Sequence, residues 1–141
     1  NPKTSINLSR YKKQISFSDQ LTSDLYTELF SRYLDENSLV EYGRNRAVII
    51  GENQVLKFPL NDSGISDNYF ESIHRDEYIP IANCELVMES VDKSELAFLQ
   101  MERVESAIGE KDLPYWTGFV DGRQVGYDRN GKLVAYDLGA A

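Results

Sequence analysis

Residues 47–60 constrain this chain most. Ala47-Val48-Ile49-Ile50 and Gln54-Val55-Leu56-Lys57-Phe58-Pro59-Leu60 are two runs rich in branched and aromatic side chains, separated by Gly51-Glu52-Asn53. Such side chains suit a pleated, half-buried surface, and the Gly/Asn trio lets the chain reverse, so the segment reads as an antiparallel hairpin. Pro59 has no N–H for a ladder and belongs near a strand end or on an edge. Two further pairs follow. Glu85-Leu86-Val87-Met88 and residues 96–101 flank the turn Val91-Asp92-Lys93-Ser94. Residues 123–127 and 132–136 flank Asp128-Arg129-Asn130-Gly131, whose Asn-Gly is a strong hairpin signal.

Helical signals sit between these strands. A helix is expected over residues 18–34, with Ser18 as N-cap and Asp19 in the first turn. Leu21, Leu25 and Leu29 recur every four residues, and Tyr26, Phe30 and Tyr33 widen that stripe. After the turn cluster Asn61-Asp62-Ser63-Gly64, a second helix is expected from Ser66 or Asp67 to Glu77. Its apolar side would be Tyr69, Phe70 and Ile73, and Pro80 follows its end. Residues 1–15 are polar and locally basic (Lys3, Arg10, Lys12, Lys13) and read as an arm or a short leading strand. Residues 106–116 read as irregular. Antiparallel strands with segregated helices indicate one α+β domain over residues 1–141, with a sheet of about five strands.

Composition bounds the function. A chain of 141 residues with 41% hydrophobic content can bury one core without a disulfide or metal. A net charge of −8 argues against nucleic-acid binding, which needs clustered Lys and Arg. It is compatible with simple solubility, or with an acidic face made for a basic site on a partner. The single cysteine, Cys84, permits no intramolecular disulfide and fits a reducing, cytoplasmic setting. One His and one Cys do not suggest a zinc set. No apolar run approaches the ~20 residues of a membrane helix, so no membrane partner is expected. The start Asn1-Pro2-Lys3 has no signal-like apolar core and reads as a processed or trimmed terminus.

Four short motifs then fall in a recognisable order. Val55-Leu56-Lys57 is similar to the third-strand V-A-I-K of protein kinases. Asp67-Asn68-Tyr69-Phe70-Glu71 opens the helix that follows. Leu99-Gln100-Met101-Glu102-Arg103-Val104 resembles the strand leading into a kinase hinge, and Asp137-Leu138-Gly139 resembles D-F-G. Residues 39–139 thus resemble a protein-kinase small lobe plus its metal-loop hairpin, in the manner of small kinase-like proteins of phages and bacteria. The resemblance implies that Lys57 meets nucleotide phosphates, that Glu71 holds Lys57, and that Asp137 carries magnesium.

The departures from that pattern are as informative. Glu41-Tyr42-Gly43-Arg44-Asn45-Arg46 has one glycine where a phosphate-covering loop has several. Counted back from Asp137, Gln124 stands at the magnesium-binding Asn and Phe119 at the base Asp. His74-Arg75-Asp76 spells H-R-D but lies on the expected second helix, with Ile81 where an Asn belongs. Residues 104–121 are too few for a helical large lobe, and the sequence stops two residues past the D-L-G. The leading expectation is therefore a non-catalytic protein-binding module or inhibitor, a pseudokinase-like chain without a cofactor. Tyr26, Tyr33, Tyr42, Tyr115 and Trp116 are its candidate anchors, since Tyr and Trp are enriched at hot spots. One alternative is a minimal ATP/magnesium-binding protein or phosphotransferase using Lys57, Glu71, Asp137 and Gln124. Another is a subunit completed by a partner chain or by self-association.

Overall fold

The computed structural model describes residues 2–136. The chain runs α1 (Pro2–Gln14), α2 (Gln20–Arg32), β1 (Leu39–Tyr42), β2 (Arg46–Ile50), β3 (Gln54–Pro59), α3 (Asp62–Ile73), β4 (Cys84–Val91) and β5 (Ser94–Glu102). A smaller unit follows, with β6 (Glu105–Ser106), two 3-10 turns (Tyr115–Phe119 and Asp121–Arg123), β7 (Val125–Tyr127) and β8 (Leu133–Ala135). The fold is α+β. A five-stranded antiparallel sheet has the order β1-β2-β3-β5-β4, and a three-stranded sheet the order β6-β7-β8.

Two expectations about the helices are corrected. Residues 1–15 are no arm or strand: α1 occupies Pro2–Gln14. Leu8, Tyr11 and Ile15 recur at i, i+3 and i+7, and Lys12 and Lys13 lie in the last turn, where the helix dipole favours cations. The next helix starts at Gln20, and its N-cap is Asp19, not Ser18: the Asp19 carboxylate accepts from Thr22 N at 3.3 Å. Leu21 points to solvent, while Leu25, Tyr26, Leu29 and Phe30 form the buried stripe.

These two helices cover one face of the sheet with aromatic rings. Tyr11 stacks on Phe30 at 4.0 Å, Phe30 meets Phe58 edge-on at 5.3 Å, and Phe58 stacks on Phe98 at 4.9 Å. Each buried Phe contributes roughly 1.5–3 kcal/mol. Pro59 sits at the end of β3, and the β3–β5 ladder stops at the pair Lys57–Leu99. The next rung would pair Pro59 with Ala97, and proline has no N–H to form it. Two tyrosines replace that rung. Tyr11 Oη donates to Pro59 O at 2.8 Å and Tyr26 Oη donates to Ala97 O at 3.0 Å.

The hairpin between β4 and β5 turns through Asp92 (φ 49°) and Lys93 (φ 69°), two left-handed residues that match the strand twist. The small sheet is tied to the segment that leads into β4 by Ala82 N donating to Ala135 O and Ala135 N donating to Pro80 O, both at 2.8 Å. None of the described helices is long and apolar enough to cross a membrane.

Candidate functional site

The third helix inverts the expected amphipathic pattern. It begins at Asp62, earlier than the sequence suggested, because Asn61 is its N-cap and accepts from Gly64 N at 2.9 Å through Oδ1. Its buried residues are Gly64, Asp67, Asn68 and Glu71, spaced i, i+3, i+4 and i+7. Tyr69 and Ile73, expected inside, face solvent, and Phe70 is partly exposed. The inner face is polar because the strand residues opposite it are Arg46 and Lys57, both buried cations. Apolar side chains there would leave those charges without acceptors.

Glu71, fully buried, binds both cations. Lys57 Nζ donates to Glu71 Oε1 at 3.1 Å, and the Arg46 guanidinium makes an ion pair with Glu71 Oε2. Arg46 Nη1 also donates to Asn68 Oδ1 at 3.1 Å, and Asn68 Nδ2 donates back to Lys57 O at 2.9 Å. Lys57 Nζ donates further to Tyr136 O at 3.0 Å. The β1–β2 turn joins the same network, since Asn45 Nδ2 donates to Asp67 Oδ2 at 3.1 Å. Thus β2, β3 and α3 meet on one carboxylate, and Lys57 extends the network to the residue that follows β8.

Beside this network lies a cleft of about 440 Å³. It is lined by the apolar Val48, Ile50, Val55 and Met101, by Lys57, Gln124 and Tyr136, and by residues 102–104. A larger groove of about 910 Å³ lies between the two sheets, lined by Glu52, Glu102, Glu105, Asp128, Arg103 and Arg129 among others, and contains neither Lys57 nor Gln124. Cys84 donates through Sγ to Glu71 O at 3.3 Å. Burial pushes its thiol pKa up and the Glu71 carboxylate adds to that, which disfavours a reactive thiolate.

The motif residues therefore divide as follows. Lys57 and Glu71 are in contact, and Gln124 joins Lys57 in the cleft. Asp137 lies outside the described residues. Phe119 is largely exposed and packs edge-on against Tyr115 at 5.2 Å. His74 is the C-cap of α3, its N–H donating to Phe70 O at 2.9 Å. Among the described residues, no three His, Cys, Asp or Glu side chains converge as a metal set.

The aromatic candidates have separate fates. Tyr26 is only 3% exposed and spends its hydroxyl on Ala97. The Tyr33 hydroxyl donates to Glu89, and Tyr42 donates to Asn7 O at 3.4 Å beneath the Arg10 guanidinium. Trp116 is half-buried against the small core of Ala107, Val120, Val125 and Ala135. Tyr115, at 86% exposure, is the one that stands free of the core. Arg46 is the site residue to which the sequence analysis gave no role; its place at the start of an apolar strand is the available signal. A scan against protein-family models and a search of curated proteins found no match to this chain.

Proposed function

We propose that the chain is a non-catalytic protein-binding module built on a kinase-small-lobe-like scaffold. The observation that carries this reading is the sharing of Glu71 by Arg46 and Lys57. In the kinase pattern the glycine-rich loop brings backbone N–H groups onto phosphates, and the strand lysine reaches them too. Here the residue at the end of that loop is Arg46, whose buried guanidinium runs back to α3. Lys57 is engaged by Glu71 and by Tyr136 O. The Lys57–Glu71 pair is what the kinase pattern itself requires, so the reading turns on Arg46, which is committed to Glu71, and on Phe119, which stands at the position expected for the base and cannot accept a proton. Fold likeness alone carries no activity. Exposed Tyr69, Ile73, Tyr78, Tyr115 and Phe119 supply the kind of surface that protein partners use.

The apolar cleft lining of Val48, Val55 and Met101 favours a second reading, in which a flat heteroaromatic base enters beside residues 102–104. The test of the first reading is a phosphoryl-transfer assay with labelled ATP, magnesium or manganese, and general protein acceptors, including the chain itself. The expected result is no transfer above the protein-free blank. Transfer that disappears in Lys57→Met would overturn the reading.

A further inference from the structure

The large sheet has two edges, and the chain treats them differently. The β1 edge is four residues long and lies against α1, where Asn7 Nδ2 donates to Ser38 O and Tyr42 donates to Asn7 O. The β4 edge is eight residues long. Its orientation follows from two contacts. Glu102 N donates to Asn83 O at 2.9 Å, so residue 83 turns its backbone toward β5. The register runs without a bulge from Cys84–Met101 to Val91–Ser94, so odd residues of β4 face β5 and even residues face outward. Ser90 confirms the parity, because its outward carbonyl accepts from Arg32 Nη1 at 3.0 Å.

Leu86 and Met88 are the outward residues between the Arg32 contact and the α3 contact at Cys84. Among the described residues, their N–H and C=O groups have no partner within the chain. Met88 is 53% exposed. An open edge of this kind is a template for one more strand.

We infer that the β4 edge at Leu86–Met88 accepts an extended, basic segment of a protein partner as a sixth strand. The inference rests on the protein-binding reading and gives it a surface. Charge selects the occupant. A second copy paired symmetrically through Leu86 and Met88 would be centred on Val87 and would set Glu85 of one copy against Glu89 of the other, twice, between chains of net charge −8. Like charges directly opposite are destabilising. Asp76 and Glu77 lie in the segment that leads toward the strand, and Asp92 and Glu95 at its far end, against Arg75, Lys93 and Arg32, the last of which is already paired with Glu89. An incoming strand would set apolar side chains beside Leu86 and Met88 and place Lys or Arg on the Glu85 face, because side chains alternate.

The experiment uses three labelled heptapeptides: Lys-Val-Lys-Val-Lys-Val-Lys, its Glu-for-Lys counterpart, and the basic peptide N-methylated at alternate residues. Binding is read by anisotropy, and amide hydrogen exchange is read at Leu86 and Met88. The expected result is binding of the basic peptide alone, with slowed exchange at those two amides. N-methylation and Met88→Pro, which each remove ladder hydrogen bonding, should weaken binding by about tenfold or more, and Met88→Lys, which sets a like charge beside a basic peptide, should weaken it as well. Met88→Lys keeps the N–H and an exposed position, so it remains informative if the proline variant does not fold. Equal binding of the N-methylated peptide, unchanged exchange at Leu86 and Met88, or a concentration-dependent dimer that protects them would overturn the inference. Absence of peptide binding would remove this surface while the phosphoryl-transfer result still stood, so the two readings fail separately.

Discussion

The Tyr26 hydroxyl donates to the Ala97 carbonyl at 3.0 Å, beside the rung that Pro59 cannot form. Tyr11 does the same for the Pro59 carbonyl from the other helix. Each phenol therefore satisfies a main-chain acceptor that the sheet has abandoned. Tyr11→Phe should cost about 1–3 kcal/mol, because a buried carbonyl would be left bare, and Tyr26→Phe about 1 kcal/mol. Urea denaturation of the two variants checks this. Wild-type stability in both would mean that the hydroxyls do not carry the helices' attachment.

Gly64 offers a sharper contest between two effects. Helix propensity alone favours Gly64→Ala by about 1 kcal/mol. A Cβ at Gly64 would meet Asn45 O at 2.2 Å and Pro59 Cα at 3.0 Å. Overpacking against backbone typically costs about 1–3 kcal/mol. The variant should be less stable than wild type; an increase in Tm would show that α3 does not sit this close to the β1–β2 turn.

Much of this architecture was legible. Branched runs around Gly51-Glu52-Asn53 and Asn130-Gly131 announced hairpins, because period-two burial and turn chemistry are local properties. The contact between Lys57 and Glu71 is the one that the resemblance of Val55-Leu56-Lys57 and Asp67-Asn68-Tyr69-Phe70-Glu71 to the kinase pattern implies. What escaped notice depends on partners distant in sequence. The apolar stripe of Leu8, Tyr11 and Ile15, along α1 and just past its end, is hidden among polar neighbours, and α3 turns Glu71 and Asn68 inward to meet Arg46 and Lys57. Tyr26 and Tyr33 carry the same local signal whether they anchor a partner or a carbonyl. Only the position of Ala97 and Glu89 tells these roles apart.

The hairpin Asp92-Lys93 predicts a gain in stability. Both residues hold positive φ, which costs an L-residue with a Cβ roughly 1–2 kcal/mol. Lys93→Gly should therefore raise stability by about 1 kcal/mol at most, offset in part by greater freedom of the unfolded chain. A fall in the denaturation midpoint would contradict the left-handed assignment.

The contact between α2 and β4 sets a pH dependence at each end of the scale. The hydrogen bond from Tyr33 and then that from Arg32 hold the Glu89 carboxyl below the ordinary carboxylate range. Its contribution is present above the unfolded value of 4.5 and is lost as pH falls through the lower folded value. Burial first, then the bond to Glu89, push Tyr33 from 10.0 up to about 12. Its contribution is present below pH 10.0 and is lost as pH rises toward about 12. Tyr33→Phe should flatten the alkaline limb of a stability profile and shift the acid limb, whereas an unchanged profile would place the titrating groups elsewhere.

Removal of Glu71 should be the most damaging single change in the network. Breaking a buried ion pair from one side costs about 3–5 kcal/mol, and Glu71 serves two. Glu71→Ala should thus lose more stability than Arg46→Met. The reverse order, measured by urea denaturation, would shift the centre of the network from the carboxylate to the guanidinium.

The most direct test of the account is a calorimetric titration of the chain with magnesium-ATP, with adenosine in parallel and Arg46→Met as the comparison. If the chain is a binding module without a phosphate site, wild type should give no saturable heat with magnesium-ATP up to millimolar concentrations. Tight magnesium-ATP binding that adenosine does not reproduce would contradict the account and make the cleft a phosphate site.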